Sequence, residues 1–530
     1  MLSKEYRDYA KTILISLGVL CVAHLYVFSH FWWGNHDWGY LKSGASIKSG
    51  FFEARYSQHL FTVLFLDGHI LPVFTFLSGL LCVIIQSILI GKYFKLEAKY
   101  WPLIALFIGM NPHIYAFMYY VYLFLPFMLW SLIGVALLFL VEGNFKFYKN
   151  LLFVLGCVGV LGSYPPNLAF VFVLFVGKRI ICYLSKEENI KDSLKKTIYF
   201  GLLFLLSVLF FKVIYTYLQK NHLLNDGMYN LEVKSLSSMI IDFPFEVVRA
   251  FSQLLVCFSF LGMSYVLPLF LLVILSLVIV YRKSENKFFA IFGILLLFLS
   301  SRFSFIVSAQ SEVALFRVLY WGRLGVYVFA LCVLLKQSGK LVRNVLFSIL
   351  CFVFFNFAVL SAHIQKVQNM GFIAGRLYQK RLLDMVVMND SFDVNNEYIS
   401  LSLGQPNFRE KFYPNKHNTA ELTGLNFVFE FDVVNFLFWE YEKSPIIIGA
   451  GINGRNILRV DRGGEEKWRD KEYWSNNPEN MKKIRYWLYM IAKPYPDKNF
   501  IYVDDKYIIV VLDKPIFYNH RELVAKSLDK

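Results

Sequence analysis

Apolar runs of about 20 residues recur along the first two-thirds of the chain, parted by short loops rich in lysine and arginine. That pattern leaves few folds open. A run of this length, coiled as a helix, matches the hydrocarbon thickness of a bilayer. Inside lipid, every backbone N–H and C=O must be bonded within the segment itself. The expected fold is therefore a polytopic α-helical membrane protein. Composition agrees: 57% of the 530 residues are hydrophobic and only 17% are charged. A soluble chain carries roughly 25% charged residues.

The runs place about eleven spans, near 12–32, 70–90, from Trp101, then 121–141, 150–163, 167–184, 197–218, 263–281, 288–307, 318–335 and 344–363. The net charge of +16 raises the question of nucleic acid, but its distribution excludes that partner. Lys92, Lys95, Lys99, Lys146, Lys149, Lys178, Arg179, Lys186, Lys191, Lys195, Lys196, Arg282, Lys283, Lys287, Lys336, Lys340 and Arg343 are read as lying in alternate connections, while the turns at 111–120 and 163–167 hold no lysine or arginine. Such a bias sets orientation in a bilayer. It puts the N-terminus in the cytoplasm and the C-terminus outside. No small-residue cleavage site follows the first run, which is expected to stay as a helix. All seven cysteines fall in apolar segments, as packing residues do.

From about 364 the composition turns polar. Residues 364–388 read as a helix leaving the membrane. The segments 446–450 and 500–512 read as strands, the second a hairpin turning at Asp504-Asp505. The expected organisation is a transmembrane domain over 1–363 and a small α+β extracytoplasmic domain over 364–530. A semi-apolar stretch, MIIDFPFEVV (239–248), is suited to the membrane surface.

The candidate chemistry gathers in the connection after the first span. Gly34-Asn35-His36-Asp37-Trp38-Gly39-Tyr40 puts a carboxylate just beyond the hydrocarbon, with Glu53, Arg55, Gln58 and His59 following in the same loop. A base for sugar transfer must sit there, within reach of a lipid phosphate, and accept the acceptor hydroxyl's proton as that hydroxyl attacks the anomeric carbon. Trp38 and Tyr40 can stack on sugar rings or serve as interfacial aromatics, the commoner role. A departing lipid phosphate needs cations or hydrogen-bond donors. Arg55, His59, Arg302, Arg317 and Arg323 are the candidates. Arg302 lies inside an apolar run, where an arginine either faces a cavity or partner or snorkels to the interface. Arg317 and Arg323 can clamp a phosphate or simply mark the surface. His113, beside Asn111-Pro112, is explained equally by substrate contact and by a helix-ending turn. Gly449-Ala450-Gly451-Ile452-Asn453-Gly454 matches a dinucleotide fingerprint in spacing only. Gly463-Gly464 breaks the helix that the fingerprint requires.

Several stretches together resemble the serotype-converting O-antigen glucosyltransferases of bacteria, a Gtr type II-like family within the GT-C superfamily of membrane glycosyltransferases. They are His36-Asp37-Trp38, Ala54-Arg55-Tyr56-Ser57, Leu71-Pro72, Asn111-Pro112, Ser163-Tyr164-Pro165, Phe316-Arg317-Val318-Leu319 and the closing YPDKNFIYVDDKYIIVVLDKP. In order, they cover most of the chain. The departures are His36 where many relatives carry a second acid, Ala54 in place of a glycine, and Pro165 in place of a glutamine.

The resemblance implies a GT-C-like fold, Asp37 as catalytic base, and Arg55 and Arg317 as donor-phosphate contacts. His36, Trp38, Glu53, His59, Asn111, His113, Tyr164, Arg302 and Arg323 complete the expected substrate-binding set. The implied donor is a polyprenyl-phosphate hexose, glucose above others. It would be made inside by a donor-synthesising glycosyltransferase, turned over by a flippase, and used with inversion on a surface glycan such as O-antigen. The implied location is the periplasmic face of a bacterial inner membrane. Some superfamily members use a divalent metal, which the resemblance allows; no carboxylate cluster in this sequence demands one. Two other classes compete. A non-catalytic transporter of lipid-linked glycans would line a path with polar groups along several spans, and a membrane scaffold would have no use for Asp37.

Overall fold

The computed structural model describes residues 3–29, 44–47, 55–118, 120–142, 146–221, 223, 236–252, 254, 262–303, 316–393, 398–403, 457–458, 483, 486–487, 491–493, 499–504 and 507–511. The chain divides into two compact units, with the main boundary after Val367. The first is helical: α1 (Lys4–Ala23), α2 (Leu60–Leu66), α3 (Pro72–Tyr93), α4 (Trp101–Gly109), α5 (Val121–Val141), α6 (Phe147–Ser163), α7 (Pro166–Leu184), α8 (Ile190–Lys220), α9 (Leu236–Ser252), α10 (Gly262–Lys283), α11 (Lys287–Ser301) and α12 (Phe316–Gln337). A long α13 (Lys340–Val387) follows without a break.

A helix occupies each of the eleven segments expected to span. Among the described residues, six are long and apolar enough to cross a membrane: α3, α5, α7, α8, and stretches of α10 and α13. Helical bounds follow local chemistry. Pro72 and Pro166 open α3 and α7, where a missing N–H costs nothing. Asn189 and Asn286 cap α8 and α11, their side-chain oxygens accepting from Asp192 N at 2.8 Å and Phe289 N at 3.0 Å.

The helices differ in what they touch. The apolar window of α7 is 83% buried, whereas that of α8 is 22% buried. α7 is the central post, packed on α5, α6, α11 and α12. α8 turns Leu202, Leu205, Leu209 and Val213 outward. A row of exposed leucines on a 31-residue helix fits lipid, not water.

One end of this unit is tied by charge. The turn between α7 and α8 carries Glu187 and Glu188. Glu187 accepts from Lys95, after α3, at 2.6 Å and from Lys336, in the last turn of α12, at 3.1 Å. Glu188 accepts from Arg179 at 2.5 Å and Lys196 at 2.7 Å. Arg179 also pairs with Glu142 at the end of α5, and Glu142 accepts from the Tyr93 hydroxyl at 2.8 Å. Lys92 bonds Glu5 of α1 at 2.7 Å. The connections expected to share one side of a membrane thus meet at one end. Lys178 and Arg179 correct the expectation: they are not loop residues but lie buried in the last two turns of α7. A cation is favoured at a helix C-terminus, and Arg179 has two carboxylates in reach.

The second unit holds a four-stranded sheet of β1 (Tyr398–Leu403), β2 (Ile457–Leu458), β3 (Ile501–Val503) and β4 (Tyr507–Val511), in the order β2-β1-β4-β3. β3 and β4 form the expected hairpin, with Val503 opposite Ile508. β1 pairs in parallel with both β2 and β4, and Ile508 and Ile509 are fully buried. The segments 446–450 and 449–454 lie outside the described residues.

Burial works to raise the Glu187 carboxyl, but the Lys95 and Lys336 ammonium groups outweigh it and hold the group at about 2, against an ordinary 4.5. A depressed carboxyl lends stability that is complete above pH 4.5 and drains away as pH falls toward 2. Thermal unfolding in detergent between pH 7 and 2.5 should show an acid limb that is shallower in Glu187→Gln. Glu188→Gln, which weakens the pairing of a buried arginine, should cost more at neutral pH, about 3 kcal/mol.

Candidate functional site

The other end of the helical unit gathers polar side chains without an electrostatic knot of that kind. It is the end where α1 finishes and α3 starts, so the connection holding Asp37 leaves from it and returns to it. The returning strand is fastened first. Ser57 N donates to Gly162 O at 3.1 Å, Ser57 Oγ donates to Gly159 O, and the Tyr56 hydroxyl donates to Val158 O at 2.9 Å. Trp130 Nε1 donates to Ser57 O at 2.9 Å. The last carbonyls of α6 lack helical partners, and the 55–59 segment takes one of them. Close approach depends on Gly162, where an added Cβ would lie 2.3 Å from the Tyr56 ring.

This docking sets Arg55 and His59 side by side. The Arg55 guanidinium lies over the Tyr164 ring, 5.3 Å from its centroid, a cation–π arrangement. Tyr164 sits in the two-residue turn between α6 and α7 and is extended, with Pro166 starting α7. His59 is buried against Tyr122, ring centroids 5.8 Å apart, with Gln58 Nε2 3.4 Å from its Nε2. Burial, and then the Arg55 charge, push the His59 imidazole down to about 4. It is a neutral donor or acceptor at physiological pH, not a second cation.

A second group forms where α4 gives way to a 3₁₀ turn at Pro112–Ile114. Asn111 caps that turn, its Oδ1 accepting from His113 N at 3.2 Å and from the Tyr265 hydroxyl at 3.2 Å. The Tyr265 oxygen is also 2.8 Å from His113 Nδ1. Burial, and then the charge of nearby Arg323, hold His113 well below its usual value. Arg323 is itself buried. Aromatic rings bridge the two groups. Phe117 and Phe127 stack at 3.9 Å, Trp321 stands edge-on to both, and Tyr164 stands edge-on to Phe127 at 5.2 Å.

Arg302 takes one of the alternatives that the sequence left open, a partner. It is the C-cap residue of α11. It neither snorkels nor faces open space: its Nε donates to Glu246 on α9, and both side chains are 2% exposed. Arg249 joins from one turn away, 2.9 Å from Glu246 Oε1. The stretch expected to lie on the membrane surface is therefore two-faced. α9 turns Ile241, Phe245 and Val248 outward and buries Glu246. The close fit of α12 against α11 comes from Gly322, where a Cβ would fall 2.0 Å from Ser301 O.

Arg55, His59 and Tyr164 thus come together, as do Asn111, His113 and Arg323, while Arg302 is held in its own ion pair. His36, Asp37, Trp38 and Glu53 lie outside the described residues, as does the side chain of Arg317 in the first turn of α12. Sequence reasoning passed over Glu246, Tyr265, Tyr122 and Trp321. Glu246 had a signal: it is one of two carboxylates in an apolar stretch, and a lone arginine in another stretch calls for a partner. Four fully buried atoms at this end, Gln58 Oε1, Asn111 Nδ2, Ser163 Oγ and Asn167 Oδ1, have no hydrogen-bond partner among the described residues. Buried polar atoms are rarely left so. Among the described residues, no group of histidine, cysteine and carboxylate side chains is arranged to hold a metal. No family model, curated protein or solved structure matches the chain.

Two outcomes follow. The fold favours neutral His59, so its contribution is complete above pH 6.5 and is lost as pH falls toward about 4. The thermal-stability profile of wild type minus that of His59→Gln should slope downward with falling pH through that window and flatten below it. Gly162→Ala should push Tyr56 off α6 at a cost of about 1–3 kcal/mol, read as a lower melting temperature.

Proposed function

We propose that the protein is a membrane glycosyltransferase that moves a hexose, glucose by resemblance, from a polyprenyl-phosphate donor to a surface glycan. The reading includes a GT-C-like arrangement of about eleven spans in a bacterial inner membrane. In it the N-terminus and the charge-tied end face the cytoplasm, and the 364–530 region faces the periplasm. One observation carries it. The buried or ring-stacked cations Arg55 and Arg323, with the neutral imidazoles His59 and His113, sit at the end of the helical unit from which the Asp37 connection springs.

In this reading the Asp37 carboxylate takes the proton of an acceptor hydroxyl as its oxygen bonds to the anomeric carbon. The bond from that carbon to the phosphate oxygen breaks, its electrons leave with the polyprenyl phosphate, and the anomeric configuration inverts. Arg55, fixed over Tyr164, balances charge growing on the leaving phosphate. Arg323 and Arg317, at the start of α12, are the other candidates for that task. His59 and His113, neutral, offer hydrogen bonds to phosphate or sugar. Tyr164 and Trp321 offer ring faces, and Trp38 does so from the loop. The polar atoms left without partners at Gln58, Asn111, Ser163 and Asn167 suit a site that binds a hydroxyl-rich ligand.

The test compares purified wild type with Asp37→Asn, given radiolabelled polyprenyl-phosphate glucose and a crude surface polysaccharide. Wild type should transfer label, and the variant should lose at least about 10²-fold in rate while still binding donor. Equal transfer by both would take Asp37 out of the chemistry. Absence of transfer with any donor sugar, alongside lipid-sugar translocation in liposomes, would replace the enzyme with a transporter.

A further inference from the structure

At the charge-tied end, away from the candidate site, a cleft of about 670 Å³ opens between the α7–α8 turn and the α10–α11 turn. Lys186, Asn189 and Lys191 line one side, and Lys283, Glu285 and Asn286 the other. The acceptors in it are already committed. Glu285 accepts from Lys186 at 2.7 Å. Glu188, at the floor, accepts from Arg179, Lys196 and Ser193. The asparagine oxygens cap α8 and α11, which leaves only their amide N–H₂ groups to offer. Lys191 and Lys283 make no hydrogen bond or ion pair with any described residue. After internal pairing the cleft keeps two uncompensated ammonium groups and a surplus of donors; both carboxylates that line it, Glu188 and Glu285, are paired, and Asp192, next to Lys191 in sequence, does not line it.

The walls of the cleft run on into apolar surface. Below Lys191, α8 exposes Leu194, Ile198 and Leu202; beside Lys283, Tyr281 and Val278 are exposed on α10; and Phe288 of α11 is 79% exposed. A cationic, donor-rich cleft at the helix ends, continuous with outward apolar surface on α8, α10 and α11, the first two long and apolar enough to span, has the chemistry of a lipid with a charged head. We infer that this cleft binds an anionic glycerophospholipid, its headgroup phosphate between Lys191 and Lys283 and its acyl chains against α8 and α11. Two unpaired positive charges favour a headgroup with net negative charge over a zwitterionic one. The shared recognition element is a phosphate, and the apolar stripes assign it to a lipid and not to a free anion. The site does not depend on the glycosyltransferase reading.

The test uses the full chain in phosphatidylcholine nanodiscs titrated with phosphatidylglycerol, with bound lipid read by native mass spectrometry. Wild type should retain phosphatidylglycerol over phosphatidylcholine. The double variant Lys191→Gln/Lys283→Gln should lose that preference by about 30-fold, the factor for two lysines at a membrane surface. Its melting temperature in phosphatidylcholine alone should match wild type, because neither lysine is paired. Lys146→Gln/Lys149→Gln, at the same end but outside the cleft, should keep the preference. Equal loss in this control would show general surface charge and overturn the site, as would a wild type without headgroup preference. Competition by inorganic phosphate at the concentration of the lipid would assign the cleft to a free anion and overturn the lipid. If the double variant is poorly folded, Lys191→Arg/Lys283→Arg must retain the preference for the inference to stand.

Discussion

Everything in the helical unit depends on how a buried guanidinium is neutralised. Arg179 sits in the last turns of the most enclosed helix, where an unpaired charge would be untenable. Glu142 and Glu188 answer it from the ends of α5 and from the turn after α7. Glu187, next in sequence, then draws in the connection after α3 and the end of α12. Apolar helices attract one another little in lipid, because the lipid is as apolar as they are. Two adjacent glutamates therefore provide directional ties that a leucine surface cannot.

The opposite end is built on another principle. Its polar groups are spread over short segments, each fastened to the end of a helix: 55–59 on α6, the Asn111 turn on Tyr265, Arg302 on α9. Between the first two runs an aromatic seam of Tyr164, Phe127, Phe117 and Trp321. Trp321 Nε1 donates to Ser131 Oγ, which also accepts from Gln86. Ring stacking helps to hold these segments in position. A further network stiffens this end from behind. His24 Nε2 meets Gly109 O at 2.9 Å, so that nitrogen carries the proton and Nδ1 accepts from the Tyr115 hydroxyl, while Gln365 donates to the Tyr115 oxygen at 2.7 Å. α1, the end of α4 and α13 are pinned at one level without a charge.

The helices were legible because the apolar run length is itself the physical constraint, and each expected segment holds one. The hairpin of β3 and β4 was legible because its turn and its strands adjoin in sequence. What escaped was non-local. Arg302 was assigned to a span by its apolar neighbours, but its place depends on Glu246, 56 residues earlier. β1 was missed because its short alternating run YISLSL becomes a strand only beside β4, more than 100 residues away. Lys178 and Arg179 were counted as loop because no local pattern shows that Glu142 comes close. In the candidate site Arg55, His59, Asn111 and His113 were chosen from sequence, whereas the rings of Tyr122 and Trp321 looked like ordinary membrane aromatics.

Two lysines at this charge-tied end have an unusual backbone. Lys95 and Lys186 both adopt left-handed conformations, φ 55° and 56°, just past the ends of α3 and α7. In both, the following N–H bonds a carbonyl five residues back, Leu96 to Gly91 and Glu187 to Cys182, the loop usually closed by glycine. A lysine there accepts a steric cost that glycine avoids, and each uses its ammonium group in an ion pair. Helix termination and charge placement are thereby written in the same codon. Drift toward glycine at either position would ease the backbone while erasing an ion-pair charge. At both positions one residue therefore carries the helix stop and the tie to a neighbouring connection.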